Sequence, residues 1–231
     1  MSSRPRTNMS SPALARVVEL VVHRGTQRVL DGVSETLCQG EVVVIMGENG
    51  SGKTTLIEAF AGLIPLRSGD VIWAENGNSI VVRDSQGRRN QPPSMGLTLQ
   101  KGGVCGDETV MERISVSLSV AGIEHSDDQI MELLSLWGLE HRANDRLAHL
   151  SGGLSRRVAI LGSLAPAALS NSPLVVLLDE PSEGLDDSAK DILSSWIRSL
   201  SSRNHAILIA THDKDISSTA DRVLTLSLIH I

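Results

Sequence analysis

The sequence has few cysteines and no dense cluster of basic residues, and both features limit what the protein can be. Its two cysteines, Cys38 and Cys105, lie far apart and lack the spacing of a metal site. Free thiols in a reducing compartment are therefore expected, which favours the cytosol over an oxidising environment. The formal net charge is −6, so the chain has no overall basic field and no nucleic-acid partner is expected.

Neither a signal peptide nor a membrane span is predicted. The first residues are rich in Ser and Arg and lack an apolar core, so residues 1–14 are predicted to form a disordered tail. Residues 15–231 then suit one α/β domain. The uncharged run Val158–Leu178 is about as long as a membrane span. Pro166 and Pro173, together with Ser170-Asn171-Ser172, should instead divide it into a helix, a turn and a strand.

A glycine-rich loop between a predicted strand and a predicted helix gives the clearest functional signal. The apolar run Val42–Met46 leads into this loop, and Leu56–Phe60 continues it as a helix. The residues of the loop are Gly47, Glu48, Asn49, Gly50, Ser51, Gly52, Lys53, Thr54 and Thr55. Such a loop points backbone N–H groups at a phosphate, and the helix adds the positive end of its dipole. Lys53 is expected to reach the β- and γ-phosphates and the Thr54 hydroxyl to ligate Mg²⁺. A glycine-rich surface turn would explain neither the lysine nor the buried strand.

Runs of apolar and β-branched residues predict strands on both sides of this loop. Those predicted to form antiparallel strands or hairpins are Arg16–Val22, Val29–Leu37, Asp70–Trp73 and Ile80–Val82. Leu174–Leu178 and Ala206–Ala210 are continuous apolar runs of strand length. Such runs are typical of central parallel strands that helices cover on both faces.

Between Val110 and Leu150 the apolar spacing becomes helical. The residues predicted to share one buried helix face are Ile130, Leu133, Leu134 and Trp137. Gly138 follows them as the predicted C-terminal stop. Trp137 and Trp196 are expected in the core and not in contact with a ligand.

Ionisable residues follow both predicted central strands. Asp179 and Glu180 leave one strand in different directions, so Asp179 can hold the Mg²⁺ shell while Glu180 polarises the attacking water as general base. His212 follows the other strand and can donate to a γ-phosphate oxygen. Ligands of such sheets bind beyond the carboxyl ends of the strands, where these residues lie. Taken singly, Asp179 and Glu180 could instead form a solvated turn, and His212 could be a polar residue whose hydrogen bonds are satisfied.

In chain order, the motifs resemble those of the nucleotide-binding subunits of ATP-binding cassette (ABC) transporters. They are Gly47–Thr55, Gln100, Leu150–Gly153, Leu174–Glu180, Ser182–Asp186 and His212, and the match runs from about Arg16 to the C-terminus. The resemblance implies an α/β P-loop NTPase fold with a RecA-like parallel core sheet. It also implies an N-terminal antiparallel β subdomain and an inserted α-helical subdomain at about residues 101–150.

The same resemblance implies how the site is completed. A second ATP-binding subunit, most simply another copy, would pair head to tail with this one and enclose ATP and Mg²⁺. The residues expected to act across the dimer seam are Ser151, Gly152, Gly153 and Asp186. Gln100 would contact Mg²⁺ and the attacking water, Glu180 would be the base, and His212 would hold the γ-phosphate. A groove near Gln100 would receive a helix of a separate transmembrane permease, which would place the chain at the inner face of the cell membrane.

Two positions depart from the family pattern. Where family members usually stack the adenine on an aromatic residue, this chain has Arg24 beside His23, and it contains no tyrosine. Base stacking on an aromatic ring is worth about 1 to 3 kcal/mol, so ATP should bind more weakly unless Arg24 or His23 covers the base. Leu154 replaces the glutamine that commonly follows the Ser-Gly-Gly triplet.

The resemblance leaves several functions open. The leading hypothesis is the ATPase subunit of a membrane transporter, and the Arg24-Gly25 hairpin and Asp70–Trp73 look somewhat like those of haem-exporter subunits. The competing hypothesis is a soluble ABC ATPase that acts on ribosomes, DNA or iron–sulfur assembly. A nucleotide sensor without meaningful hydrolysis is a third possibility. Ribosome-acting relatives usually carry a second cassette and DNA-repair relatives long coiled-coil insertions, and this chain has neither.

Overall fold

The structure, a computed structural model, describes residues 11–75, 77–100, 104 and 106–228. These residues form two β-sheets and a set of helices. The strands are β1 (Ala13–Arg24), β2 (Gln27–Cys38), β3 (Val42–Met46), β4 (Ser68–Glu75), β5 (Asn78–Asp84), β6 (Met95–Thr98), β7 (Val175–Asp179), β8 (Ala206–Ala210) and β9 (Arg222–Thr225). The α-helices are α1 (Lys53–Phe60), α2 (Val110–Val120), α3 (Asp127–Leu136), α4 (Gly152–Leu169), α5 (Asp187–Ser202) and α6 (Lys214–Ser217). Short 3₁₀ turns lie at Glu140–Arg142 and Leu147–His149.

The N-terminal strands form an antiparallel sheet with the order β2-β1-β4-β5. Strands β1 and β2 pair across the turn at Gly25, with Arg24 opposite Gln27. The predicted hairpin and the predicted strands β4 and β5 are therefore confirmed. Ala13 and Leu14 belong to β1, so this strand begins inside the segment predicted as a tail, because both residues continue the β-sheet pairing. Residues 1–10 of that predicted tail lie outside the described residues.

The second sheet has the order β6-β7-β8-β3-β9, and its neighbouring strands are parallel. Strand β3 lies beside β8, with Val44 opposite Ile209, and β7 lies on the other side of β8, with Leu178 also opposite Ile209. The carboxyl ends of β3, β7 and β8 consequently share one edge. This is the edge at which the sequence predicted the ligand.

Separate hydrophobic clusters cover the two faces of the parallel sheet. Val42 and Val44 of β3 pack with helices α2 to α5, whereas Val43 and Ile45 pack with α1 and the antiparallel sheet. Strands β7 and β8 alternate in the same way. Since both faces are buried, the strands are continuously apolar, which is why their sequences show no polar alternation. The predicted P-loop NTPase architecture, with its parallel core and antiparallel subdomain, is confirmed.

The predicted helical face lies on α3 and just after it. The residues Ile130, Leu133, Leu134 and Trp137 are all buried. Gly138 has a φ of 64° and follows the C-terminal residue of the helix, where this left-handed conformation ends helices. The ring of Trp137 packs edge-on against Trp196, with centroids 5.6 Å apart. Both tryptophans are thus part of the core, as expected.

The run Val158–Leu178 divides into a helix, a turn and a strand, as predicted. Helix α4 continues through Pro166 to Leu169, the chain bends at residues 171–172, and β7 begins at Val175. A proline so near the C-terminal end removes few helical hydrogen bonds, and the N–H of Ser170 still donates to the carbonyl of Pro166 at 2.9 Å. Among the described residues, no helix is both long enough and apolar enough to cross a bilayer.

The predicted free thiol is observed at one of the two cysteines. Cys38, at the end of β2, is half-buried and unpaired, and burial raises the pKa of its thiol. Cys105 and Lys101, the first residue of the predicted helical subdomain, lie outside the described residues.

Candidate active site

The glycine-rich loop joins β3 to α1 as predicted. Gly52 precedes the helix with a φ of 99°, and a Cβ atom there would lie 2.9 Å from Leu30 and 3.0 Å from Val29. A Cβ at Gly47 would lie 2.4 Å from the carbonyl oxygen of Leu226. Only glycine fits at these positions. No side chain caps the start of α1, so the N–H groups of its first turn point out of the helix as donors for an anion.

Lys53 lies in the mouth of this loop. Its side chain is 9% exposed, and Nζ donates to the carbonyls of Gly47 at 2.8 Å and Glu48 at 3.2 Å. The hydroxyl of Ser51 is buried and has no hydrogen-bond partner among the described residues. A buried hydroxyl without a partner is costly unless a ligand supplies one. The loop therefore holds a buried ammonium group and an unused polar atom side by side.

Asp179 ends β7 beside the start of α1. The residue is 1% exposed, and neither carboxylate oxygen makes a hydrogen bond of ordinary geometry with the described residues. Burial raises the pKa of this carboxyl group. The nearby Thr54 hydroxyl, the Gln100 N–H and the Lys53 ammonium oppose that rise. The fold thus brings Thr54 and Gln100 close to the carboxylate of Asp179. Among the described residues, this carboxylate has no counter-ion in direct contact.

Glu180 and His212 meet at the ends of neighbouring strands. The Glu180 side chain is 7% exposed, and its Oε2 lies 2.9 Å from Nδ1 of His212, whose ring is 81% exposed. Glu180 has a φ of 46°, a left-handed conformation that is unusual for a residue with a side chain. Its N–H donates to the carbonyl of Ala210 at 2.8 Å, which fixes it to β8. Backbone strain of this kind is typical of functional sites.

Gln100 lies where β6 has just ended. Its amide donates to the Glu183 carboxylate at 3.3 Å. Gln100 is exposed, in contrast to the buried Asp179 that its N–H approaches. The side chain is therefore accessible to a ligand at the edge of the sheet.

The Ser-Gly-Gly triplet begins α4 at the surface. Ser151 caps the helix by accepting from the N–H of Leu154, and all three residues are exposed. A Cβ at Gly152 would meet no atom within 4 Å, and one at Gly153 would lie 3.6 Å from the carbonyl of Gly184, an ordinary contact. The interior of the chain consequently gives no steric reason for either glycine.

Asp186 lies beside that triplet and already has partners within the chain. Its carboxylate caps α5 through the N–H of Ala189, and it pairs with Arg157 of α4. The backbone N–H of Ala189, the Ser188 hydroxyl and Arg157 together lower its pKa to about 2. Asp186 is therefore an exposed, ionised group next to the start of α4.

Arg24 forms an ion pair with Glu58 of α1. The side chains are 46% and 21% exposed. This contact holds the guanidinium group beside the helix that follows the phosphate loop.

Sequence analysis missed Arg156. This arginine is 7% exposed and donates to the carbonyl of Glu180 at 2.8 Å. The available signal was its spacing, because Arg156 shares a helix face with the buried Ile160 and Ser163.

Comparison with known sequences gives consistent matches. A family model described as ABC transporter matches residues 30–183. The macrolide export ATP-binding/permease protein MacB of Psychrobacter cryohalolentis is 32% identical over 203 residues, which cover 86% of this chain and 29% of MacB. The lipoprotein-releasing system ATP-binding protein LolD of Granulibacter bethesdensis is 31% identical over 223 residues, covering 93% of this chain and 95% of LolD. The chain thus spans less than a third of the MacB relative and nearly the full length of the LolD relative.

Solved structures agree with the fold. An ATP-binding subunit of an ABC transporter superposes with a TM-score of 0.77 at 25% identity, covering 92% of this chain and 85% of that subunit. An ATP-binding cassette in a dimeric post-hydrolysis state bound to ADP and phosphate superposes with a TM-score of 0.76. At 21% identity, with 94% of this chain and 97% of that cassette covered, the second likeness concerns the fold alone.

Proposed function

This chain belongs to the ABC transporter family, and from that premise we propose that it binds and hydrolyses ATP to drive a transmembrane permease. The single observation that supports this most is the buried carboxylate of Asp179, which makes no hydrogen bond of ordinary geometry with the described residues and lies beside Thr54 and Lys53. An unpartnered buried charge is unfavourable in a resting fold. It becomes useful when a metal-bound nucleotide occupies the adjacent loop.

The phosphate loop would hold the β- and γ-phosphates of ATP. The N–H groups at the start of α1 would donate to phosphate oxygens, and so would the now unpartnered Ser51 hydroxyl. Lys53 would exchange its contacts with the carbonyls of Gly47 and Glu48 for contacts with the phosphates. The other loop residues, Asn49 and Gly50 among them, would line the same phosphates.

The residues around Asp179 fit a Mg²⁺ ion. They offer hard oxygen ligands, the carboxylate of Asp179 and the hydroxyl of Thr54, with the Gln100 side chain accessible nearby. Mg²⁺ is usually held by one or two such protein ligands together with phosphates and water. When bound, the ion would neutralise charge that develops on the phosphate oxygens.

Glu180 is the proposed general base. It is buried at the carboxyl end of β7, adjacent to Asp179. His212 approaches the same carboxylate at 2.9 Å and would turn toward the γ-phosphate when ATP arrives. A base in hydrogen-bond reach of the attacking water contributes about 100- to 10,000-fold to such a reaction.

The exposed start of α4 supports a site completed by a second subunit. Gly152 and Gly153 are the first two residues of α4, and packing among the described residues requires a glycine at neither position. The absence of a side chain there would let a phosphate of the partner's ATP approach the backbone closely. Ser151 and Asp186 lie at the same surface, so we place all of these residues at a head-to-tail dimer seam.

A groove beside the antiparallel sheet is the proposed contact for the permease. It has a volume of about 810 Å³, and Met95 and Leu97 of β6, the strand that leads to Gln100, line it. Leu63 and Val120 also line it and are 46% and 82% exposed. Exposed apolar side chains of this kind favour a partner segment. The docked chain would sit at the inner face of the cell membrane.

The named relatives guide the choice of transporter class. LolD is, by name, the ATP-binding protein of a lipoprotein-releasing system, and MacB is a macrolide export ATP-binding/permease protein. We therefore propose transport in general for this chain and do not propose haem export.

Phosphate release by purified protein tests the proposal. Wild-type protein should release phosphate from Mg-ATP, and Glu180→Gln should lower the rate by about 100- to 10,000-fold while ATP still binds. Glu132→Gln, on the exposed side of α3, is the matched control and should keep the wild-type rate. A Glu180→Gln protein that retains most of its phosphate release would remove Glu180 from the base role.

A further inference from the structure

A buried arginine outside the proposed chemistry contacts two of the chain segments that carry it. Arg156 lies in the second turn of α4 and is 7% exposed. Its guanidinium donates to the main-chain carbonyls of Leu99 at 3.2 Å, Asp179 at 3.4 Å and Glu180 at 2.8 Å. These carbonyls belong to the residue before Gln100, to the proposed Mg²⁺ ligand and to the proposed base. One side chain of α4 thus joins two separate segments of the site, the one that leads to Gln100 and the one that contains Asp179 and Glu180.

The Glu180 carbonyl is the contact that matters most. Glu180 adopts a left-handed conformation, with φ of 46°, which its surroundings must enforce because an isolated glutamate disfavours it. Its N–H is held by the carbonyl of Ala210, and its carbonyl accepts from the Arg156 guanidinium and, at 3.2 Å, from the N–H of Glu183. The peptide group after Glu180 is therefore fixed by a charged donor. These contacts fix the backbone from which the Glu180 side chain extends.

Burial of Arg156 is itself unfavourable. Desolvation lowers the pKa of its guanidinium, and the carboxylates of Glu183, Asp179 and Glu180 oppose the effect. An arginine nevertheless stays protonated in a protein. Its planar fork of donors can bridge several acceptors at once, which the single ammonium of lysine cannot do.

We propose that Arg156 is a positioning residue that holds Glu180 and Gln100 in register with α4, the helix whose first turn carries Ser151. This inference rests on the proposed ATP hydrolysis. Arg156 does not touch the reacting atoms. It acts by fixing the backbone on either side of the base, and it links that backbone to the helix that would face the partner subunit.

A merely structural arginine provides the matched control. Arg203 also donates to main-chain carbonyls, those of Ala168 at 2.6 Å and Ser170 at 3.2 Å, at the C-terminal end of α4. Arg203→Ala removes the same group and the same kind of contact. It should lower the denaturation midpoint and leave kcat unchanged.

The test compares Arg156→Ala, Arg156→Lys and Arg203→Ala in the whole chain. We would measure kcat and KM for Mg-ATP hydrolysis, the Kd for ATP and the urea midpoint, with kcat expressed per nucleotide-binding molecule. Misplacing a catalytic group by about 1 Å can cost about a hundredfold in rate, so Arg156→Ala should lower kcat by about ten- to a hundredfold. Its Kd for ATP should stay at the wild-type value, because the carbonyls that Arg156 holds, those of Leu99, Asp179 and Glu180, lie outside the phosphate loop. Arg156→Lys should recover part of the lost kcat.

The outcomes separate the two proposals. If wild-type protein hydrolyses ATP and Arg156→Ala or Arg156→Lys keeps the wild-type kcat, the positioning role is wrong and the proposed function stands. If Arg156→Ala does not fold, the kcat of Arg156→Lys decides. A loss of kcat in parallel with a loss of ATP affinity, in either variant, would also overturn the inference. Wild-type protein that releases no phosphate contradicts the proposed function itself.

Discussion

His205 should make the stability of the fold depend on pH. This residue immediately precedes β8 and is 1% exposed. Its Nδ1 accepts a hydrogen bond of 3.0 Å from the N–H of Leu174, the residue before β7. Burial lowers the pKa of the imidazole to about 4, with a smaller effect from the charge of Arg203. Protonation would both bury a charge and remove the acceptor that joins the two central strands.

The magnitude follows from the difference between folded and unfolded chains. The imidazole titrates near 6.5 in the unfolded chain and near 4 in the fold. Above about pH 6.5 both forms are neutral and the full stability is present. As the pH falls from about 6.5 to about 4, the unfolded chain binds the proton before the folded chain does, so stability is lost. With about 1.4 kcal/mol for a pKa difference of one, His205 alone should cost about 2 kcal/mol at pH 5 and about 3 kcal/mol at pH 4.

Urea denaturation at a series of pH values from 8 to 5 measures this loss. His205→Asn keeps a neutral acceptor near Leu174 and removes the titration, so its free energy of unfolding should fall by about 2 kcal/mol less than that of the wild type over this range. His141→Asn is the control, since the side chain of His141 is 89% exposed, and it should follow the wild type. Parallel curves for wild type and His205→Asn would refute the reasoning.

Further predictions concern the nucleotide and its metal. Arg24→Tyr should supply the missing base platform and tighten ATP binding by about 1 to 3 kcal/mol without affecting inorganic triphosphate, as measured by calorimetry. An equal change for both ligands would place Arg24 away from the base. Asp179→Asn should raise the free energy of unfolding of the ligand-free protein, because burial raises the pKa of this carboxyl and its ionised form destabilises the fold above its unfolded pKa. The same variant should lose the Mg²⁺ dependence of ATP binding, and a variant that is less stable yet still responds to Mg²⁺ would contradict both statements.

Local patterns predicted the phosphate loop well. Val42–Met46 is a strand and Lys53 begins a helix, because glycines at fixed positions and an apolar run determine that turn within a few residues. Asp179 and His212 were assigned to one edge of a sheet on the same basis. The structure confirms that β7 and β8 are neighbours. It adds the contact between His212 and Glu180, which depends on these two strands being adjacent in the sheet.

Other features depend on tertiary contacts and left weak traces in the sequence. Strand β6 is short, contains Gly96 and follows a polar segment, while β9 is short and partly exposed at the sheet edge, so neither had a clear strand pattern. A Cβ at Gly96 would lie 2.1 Å from the carbonyl of Ser163, which shows that packing against α4 determines this residue. Arg156 appeared to be an ordinary helical arginine, because its partners are backbone carbonyls distant in sequence.

The central claim is that ATP is enclosed between two copies of the cassette, and the mass of the Glu180→Gln protein tests it most directly. Light scattering should give a monomer without nucleotide and a dimer with Mg-ATP. Adding Ser151→Arg to the same protein should place a bulky charge at the seam and restore the monomer while ATP still binds to the phosphate loop. A Glu180→Gln protein that binds Mg-ATP and stays monomeric, or a dimer that Ser151→Arg leaves intact, would contradict the account.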